Sequence, residues 1–268
     1  MRAGFIGDIV GRAGRKIVSE NVKKMRDKFG LDFVIANCEN ASGGFGLSAQ
    51  NAAELLECGI DAITGGNHSF DKKEIGSLMD SLPIIRPYNH FAGTAGKGVI
   101  NLKRGEVSLS VINLMGHYAM PHTNNAFLEV QNALKECESQ NVLIDFHAEA
   151  TSEKNAIFGY LNGQVSAIFG THTHVGTDDL QILNHTAYAS DVGLSGAFDG
   201  VIGMDKEAPI KTFLTGFKHS FKVNERCRRI FQMIVFECEE GRCIDAFKVR
   251  VIDGIDEMQV QNALKFDK

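Results

Sequence analysis

The sequence predicts an α/β protein, and three observations carry that prediction. Short apolar runs alternate with amphipathic stretches over the first 175 residues. Most of those runs end in Asp, Glu, Asn or His rather than in a plain turn. The composition is that of an ordinary globular chain, 44% hydrophobic and 23% charged over 268 residues.

Taken in order, residues 3–7 (AGFIG) read as a first strand. Ile17, Val18, Val22, Met25 and Phe29 then share one face of a helix over 15–29. Residues 33–36 (FVIA) form a second, buried strand, followed by a Gly-rich loop at 43–46. Ser48 is placed to cap a helix carrying Leu55 and Leu56, and a third strand begins over 61–64. Asp71 and Glu74 have capping-box spacing, which predicts a helix holding Ile75, Leu78 and Met79.

After Pro83 the texture changes. Residues 99–102 and 107–114 read as paired strands around the turn Lys103-Arg104-Gly105-Glu106. A helix near 126–138 leads to a strand at 142–146, and a helix near 152–161 leads to a strand at 165–169. The last third reads as strand-rich, at 186–190, 230–237 and 246–252. With no repeat, low-complexity tract or linker, the chain is expected to form one domain over 1–268.

Charge and cysteine usage exclude several classes. Thirty-three acidic against 28 basic residues leave a formal charge of −5, not the basic footprint of a nucleic-acid binder. Six scattered cysteines without a C-x-x-C pair read as reduced thiols. The apolar opening stops at Asp8, too short for a signal segment, and no run approaches the roughly 20 apolar residues of a membrane span. A soluble, cytoplasmic protein with no membrane partner is expected.

The functional signal lies where the strands end. The first ends in Gly7-Asp8, the second in Glu39-Asn40, and the third in Gly66-Asn67-His68. The strand at 142–146 ends in His147, and the one at 165–169 in Gly170-Thr171-His172-Thr173-His174. Ligands of open α/β sheets bind beyond the carboxyl ends of the strands, so these residues converge. Taken singly each is ordinary: Asp8 as a cap, Glu39-Asn40 as loop, His147 as a hydrogen-bonded core residue. His172 and His174 are stronger, since alternate residues of an extended segment share a side.

Carboxylate and amide oxygens with imidazole nitrogens suit hard-to-borderline divalent cations. Asp8, Glu39, Asn40, Asn67, His147, His172 and His174 are too many for one ion and suffice for two with a bridging carboxylate. Two carboxylates about 5 Å apart repel by roughly 3 kcal/mol at an effective dielectric of 20, and two divalent cations reverse this. With one hydroxide the net charge is then about +1, which matches a phosphodiester monoanion.

These motifs together resemble the calcineurin-like metallophosphoesterases. Asp8-Ile9-Val10 stands where that family has Asp-x-His, and Cys38-Glu39-Asn40 where it has Gly-Asp. Both departures, with GDIVG, ENASGG, GGNH and HAEATSEK, are similar to the YmdB-like bacterial subfamily of cyclic-nucleotide phosphodiesterases, over nearly the whole chain. The resemblance implies a four-layer α/β/β/α sandwich with two divalent metal ions, iron or manganese. It places Asp8, Asn40 and His174 on one metal and Asn67, His147 and His172 on the other, with Glu39 bridging. His68 becomes the general acid. The implied reaction is two-metal hydrolysis of a cyclic nucleotide, 2′,3′-cyclic favoured, by a metal-bound hydroxide. A homo-oligomer is also implied. Residues 116–125 and 193–197 depart from the pattern, which bears on substrate choice.

Other readings differ in class. A dinucleotide-binding enzyme would need a Gly where Ile9 stands in Gly7-Asp8-Ile9-Val10-Gly11. A metal-binding regulator or RNA-interacting protein with little activity is the main alternative. A di-iron redox enzyme would need Glu-x-x-His pairs on bundle helices. Within Gly43-Gly44-Phe45-Gly46, Phe45 is placed to stack on a base, though glycines required by tight turns are the plainer reading. His90, His185 and His219 read as structural or surface residues, whereas His117 and His122 stand out by following a strand. Arg226, Arg228 and Arg229 read as a solvated cluster, with RNA contact as the lesser possibility.

Overall fold

The computed structural model describes residues 1–266. The first half repeats a strand-then-helix rhythm: β1 (Arg2–Ile6), α1 (Gly11–Phe29), β2 (Phe33–Asn37), α2 (Ala49–Glu57) and β3 (Ala62–Thr64). β4 (Val99–Arg104) and β5 (Val107–Met115) follow as an antiparallel pair. Next come α3 (Ala126–Lys135), β6 (Val142–His147), α4 (Thr151–Leu161) and β7 (Ala167–Thr171). The remainder comprises β8 (Gln181–Leu183), β9 (Thr186–Ala189), β10 (Gly196–Ala197) and α5 (Glu207–Thr215). The last four strands are β11 (Arg229–Glu239), β12 (Arg242–Ile252), β13 (Gln259–Asn262) and β14 (Leu264–Phe266).

Two seven-stranded sheets result. One runs β13-β12-β11-β1-β2-β3, with β10 beside β11, and the other runs β14-β8-β9-β7-β6-β5-β4. Strand alternation sorts side chains between three cores. Ile6 and Val34 face Ile17, Val22 and Leu55 of α1 and α2. Their neighbours Phe5 and Ile35 turn the other way, against Val111, Leu143 and Phe169 of the second sheet. Ile112, Ile144 and Ile168 in turn meet Val130 and Ile157 of α3 and α4. Three apolar interfaces separate four layers, helix, sheet, sheet, helix, as the fold class predicts. Both sheets are buried on two faces at their centres, so these strands read as nearly continuous apolar runs.

β1, β2 and β3 are mutually parallel, as are β5, β6 and β7. Register brings Met115 beside His147 and His147 beside Thr171, so the carboxyl ends line up.

Several local expectations are corrected. The helix predicted after Asp71 is a short 3-10 turn, Lys73–Ser77. Its supposed capping residues are engaged elsewhere: Asp71 bonds the His68 ring at 2.7 Å, and Glu74 accepts the Ala49 N–H at 2.9 Å. α1 begins at Gly11 rather than at 15, without a capping side chain, and ends on left-handed Gly30. Ser48 does cap α2, accepting the Asn51 N–H. β7 starts two residues after the predicted 165, at Ala167. α5 and the short strands β8, β10, β13 and β14 carry too little periodicity to have been read.

Candidate metal centre

The rim where the parallel strands end gathers all seven candidate ligands. Asp8 follows β1, Glu39 and Asn40 follow β2, Asn67 and His68 follow β3, His147 ends β6, and His172 and His174 follow β7. The approach is close enough to demand glycine. A Cβ on Gly66 would lie 2.2 Å from the His147 ring, and one on Gly7 would lie 1.9 Å from the Gly193 carbonyl.

Hydrogen-bond bookkeeping shows what the rim lacks. His147 Nδ1 lies 2.9 Å from the Thr171 hydroxyl, whose single proton is donated to Asp145 Oδ1 at 2.7 Å. His147 Nδ1 is therefore the N–H donor, and Nε2 keeps its lone pair. His172 Nε2 faces the Glu149 carboxylate at 3.1 Å, which makes it the donor and leaves Nδ1 bare. The two bare nitrogens face each other at 3.1 Å, with Glu39 Oε1 3.0 Å and Asn67 Oδ1 2.9 Å from His147 Nε2.

A second group of acceptors adjoins the first. His174 Nδ1 donates to the Ile202 carbonyl at 2.8 Å, so its lone pair points from Nε2 towards Asp8 Oδ1, 3.7 Å away. Asp8 Oδ1 and Asn40 Oδ1 are buried with no hydrogen-bond partner. Asn40 is turned this way because its amide nitrogen is held by the Gly44 carbonyl at 3.0 Å. Buried acceptors without donors are costly, so both groups fit cations. Glu39, His147 and His172 also place one ligand atom each within 4.8 Å of one another.

The protonation preferences agree. Burial drives the His147 and His172 imidazoles down to about 3, so both are neutral and ready to ligate. Burial also drives Glu39 up to about 7 and raises Asp8, despite the pull of the neighbouring histidines. In a cation-free rim, a proton on a carboxyl is the one local relief for crowded acceptors.

Comparisons with known proteins bear on this geometry. The family model for YmdB-like proteins matches residues 5–249. The chain belongs to the YmdB-like family. Among its relatives is the 2′,3′-cyclic-nucleotide 2′-phosphodiesterase of Bacillus subtilis, 46% identical over 229 residues, 84% of this chain and 87% of the relative. A hypothetical protein of Thermus thermophilus superposes with a TM-score of 0.87 at 36% identity, covering 98% of this chain and all of the other. A phosphatase of Mycoplasma pneumoniae superposes with a TM-score of 0.89 at 34% identity, covering 94% and 93% of the two chains.

In this YmdB-like chain the two late histidines are brought to the rim by a different device from the one predicted. The segment after β7 is not extended: His172 and His174 both adopt left-handed backbone, at φ 93° and 65°. Such residues cost on the order of 1–3 kcal/mol each unless held by their surroundings. Asp191 does the holding. It accepts the Thr173 N–H at 3.1 Å and hydroxyl at 2.8 Å, and pairs with buried Lys154 at 3.0 Å. Lys154 also donates to the Thr171 carbonyl at 2.9 Å.

Asn37, Thr64, Asp145, Thr171, Lys154 and Asp191, which support the rim through buried hydrogen bonds, are not among the residues the sequence singles out for the site. Asp145 carried a readable signal, a charge inside the apolar run 142–146. It is fully buried, and burial pushes its carboxyl up to about 7 against hydrogen bonds from Thr64, Thr171 and Asn37.

Other sequence expectations resolve plainly. Phe45 sets its ring edge to face against His68 at 5.1 Å between centroids. Gly43, Gly44 and Gly46 all have positive φ, as the plainer reading of that loop requires. The N–H groups of Ile9, Val10 and Gly11 donate to the carbonyls of Asn37, Ser195 and Asn40, so none is left for a pyrophosphate. His117 and His122 are exposed beyond β5, ring centroids 6.4 Å apart. Arg226 and Arg228 are exposed, as a solvated cluster requires, with Arg228 paired to Asp199 at the surface, whereas Arg229 is largely covered and pairs with Asp253 and Glu20. Among the described residues, no helix is long and apolar enough to cross a membrane.

Proposed function

We propose that this protein is a metal-dependent phosphodiesterase, hydrolysing 2′,3′-cyclic nucleotides through two divalent cations, iron or manganese. The observation that carries the reading is the pair of adjoining acceptor groups, one around Glu39 Oε1 and the His147 and His172 nitrogens, the other containing the partnerless oxygens of Asp8 and Asn40. Its chemistry agrees with the name of the Bacillus subtilis relative. Asp8, Asn40 and His174 would hold one cation, Asn67, His147 and His172 the other, with Glu39 shared. Bound there, such cations clamp a phosphate and make water acidic enough to serve as nucleophile.

The remaining work falls to side chains. His68 is held by its own N–H, donated to Glu39 Oε2 at 2.8 Å, and by its ring, whose Nδ1 meets Asp71 Oδ2 at 2.7 Å. Asp71 Oδ2 accepts, so Nδ1 carries one hydrogen towards it. In the imidazolium form Nε2 carries the second, which it would give to a leaving alkoxide, ending as a neutral ring with its lone pair on Nε2. The Phe45 ring packs against the same imidazole at a steep interplanar angle of 75°.

The test is hydrolysis of 2′,3′-cyclic AMP by purified protein, after chelation and after manganese is returned. Turnover lost on chelation and restored by manganese is expected. Folded protein with two manganese ions per chain and no turnover would overturn the activity, and failure to take up metal would overturn the site. His68→Ala is expected to lose about 10²–10⁴-fold in turnover while manganese binding is unchanged.

A further inference from the structure

We propose that Asp145, acting through the Thr171 hydroxyl, is the positioning residue that fixes the His147 tautomer and thereby tunes metal affinity at the rim. The inference rests on His147 being a metal ligand, as proposed above, and concerns residues that do not themselves reach the metal.

Asp145, Asn37, His147 and Thr171 are all fully buried, and Thr64 is 1% exposed, so with Asp145 ionised every hydrogen of the network must be placed among these groups. Asn37 spends both amide hydrogens, one on the Gly65 carbonyl at 3.0 Å and one on Asp145 Oδ2 at 3.0 Å. Its own carbonyl oxygen accepts the Glu39 N–H at 3.2 Å, which fixes the orientation of the amide. Asn37 therefore has nothing left for His147 Nδ1. The Thr64 hydroxyl is directed to Asp145 Oδ2 as well. Thr171 gives its one proton to Asp145 Oδ1 and receives one from His147 Nδ1. With that chain complete, the imidazole lone pair sits on Nε2, beside Glu39 Oε1 and Asn67 Oδ1.

The two oxygens of Asp145 divide the work. Oδ2 binds Asn37 of β2 and Thr64 of β3, which join the first sheet to β6 of the second. Oδ1 binds only Thr171, on the strand next to β6 in the same sheet, and so adds nothing to that junction. Its consequence runs to His147. Partners of this kind orient a ligating histidine and raise its basicity, and their loss costs about 10–100-fold in metal affinity.

The experiment compares the full-length wild type with Thr171→Val, which removes the hydroxyl at nearly constant volume, and Thr171→Ser, which restores it. Free manganese is counted by electron paramagnetic resonance during titration, and the His147 tautomer is read from imidazole ¹⁵N shifts of chelated protein. Thr171→Val is expected to bind manganese about 10–100-fold more weakly, and Thr171→Ser to stay within about threefold of wild type. The wild-type imidazole is expected to carry its hydrogen on Nδ1. Wild-type His147 protonated on Nε2, or equal manganese affinity in folded Thr171→Val, would overturn the proposal while leaving the metal centre standing. If Thr171→Val does not fold, the wild-type tautomer decides. Wild type that takes up no manganese would bring down the metal centre and this inference together.

Discussion

Asp8 and Asp191 are two carboxylates buried to the same degree, at 0% and 1% exposure, in the same molecule. Their surroundings are opposite. Asp191 has Lys154 as counter-ion, both polar hydrogens of Thr173, and the Gly193 N–H at 2.8 Å. Asp8 receives one N–H, from His172 at 3.1 Å, and its second oxygen has nothing. The chain thus shows that it can satisfy a buried carboxylate when the purpose is structural. Leaving another unsatisfied, beside the His147 and His174 imidazoles, fits the cation-holding role proposed for Asp8.

The comparison can be broken by exchanging roles. The largest effect is expected for Asp8→Ala, which should reduce manganese-dependent turnover by more than about 10³-fold, or about 4 kcal/mol on the barrier. Chelated Asp8→Ala should nevertheless be no less stable than chelated wild type in urea titration, because the substitution deletes a group that costs stability. Asp191→Ala should do the reverse to stability, losing about 3–5 kcal/mol by stranding Lys154. Destabilisation of both to the same extent would erase the distinction.

Manganese itself sharpens the comparison. At a free concentration 100 times Kd, each occupied site should add about 2.7 kcal/mol to wild-type stability. Asp191→Asn should keep a manganese-induced rise in Tm, and Asp8→Asn should show far less.

The smallest effect, taken per pH unit, is that of acidity. Glu39 has a folded pKa of about 7, raised by burial from an ordinary 4.5. A raised carboxyl contributes stability that is present below 4.5 and is lost as pH rises through 7. In chelated protein, wild-type stability minus that of Glu39→Gln should therefore fall by about 1.4 kcal/mol per pH unit across that window. Manganese must displace the same proton, so its affinity should weaken by up to about tenfold per unit below pH 7.

What the sequence made legible follows from where periodicity is strong. The parallel strands are buried on both faces, so β1, β2, β5 and β6 stand out as apolar runs, and the polar residue after each run marks the rim. That logic placed Asp8, Glu39 and His147 at the rim, where the structure has them. It reached His172 and His174 by a wrong one, since an extended segment was assumed where two left-handed residues make a turn. Asp71 and Glu74 have capping spacing, yet local spacing cannot reveal that the His68 ring and the Ala49 N–H compete for the same carboxylates. Asp145 was visible as a charge in an apolar strand. Its partners Asn37, Thr64 and Thr171 come from three other strands, and only the packed sheets bring them together.

The neighbours of β1 carry a further consequence, for the order in which the molecule is finished. β1, which leads into Asp8, lies between β2 and β11, with Ile6 opposite Met233. During synthesis the first strand waits as an open edge until almost the whole chain has emerged. Chain released by the ribosome up to His174 already contains every candidate ligand, yet Asp8 then stands on a strand paired on one side. Closure of the sheet by β11 is the late step that sets Asp8 in register, so the rim that gathers the candidate ligands is completed only when nearly the whole chain is made.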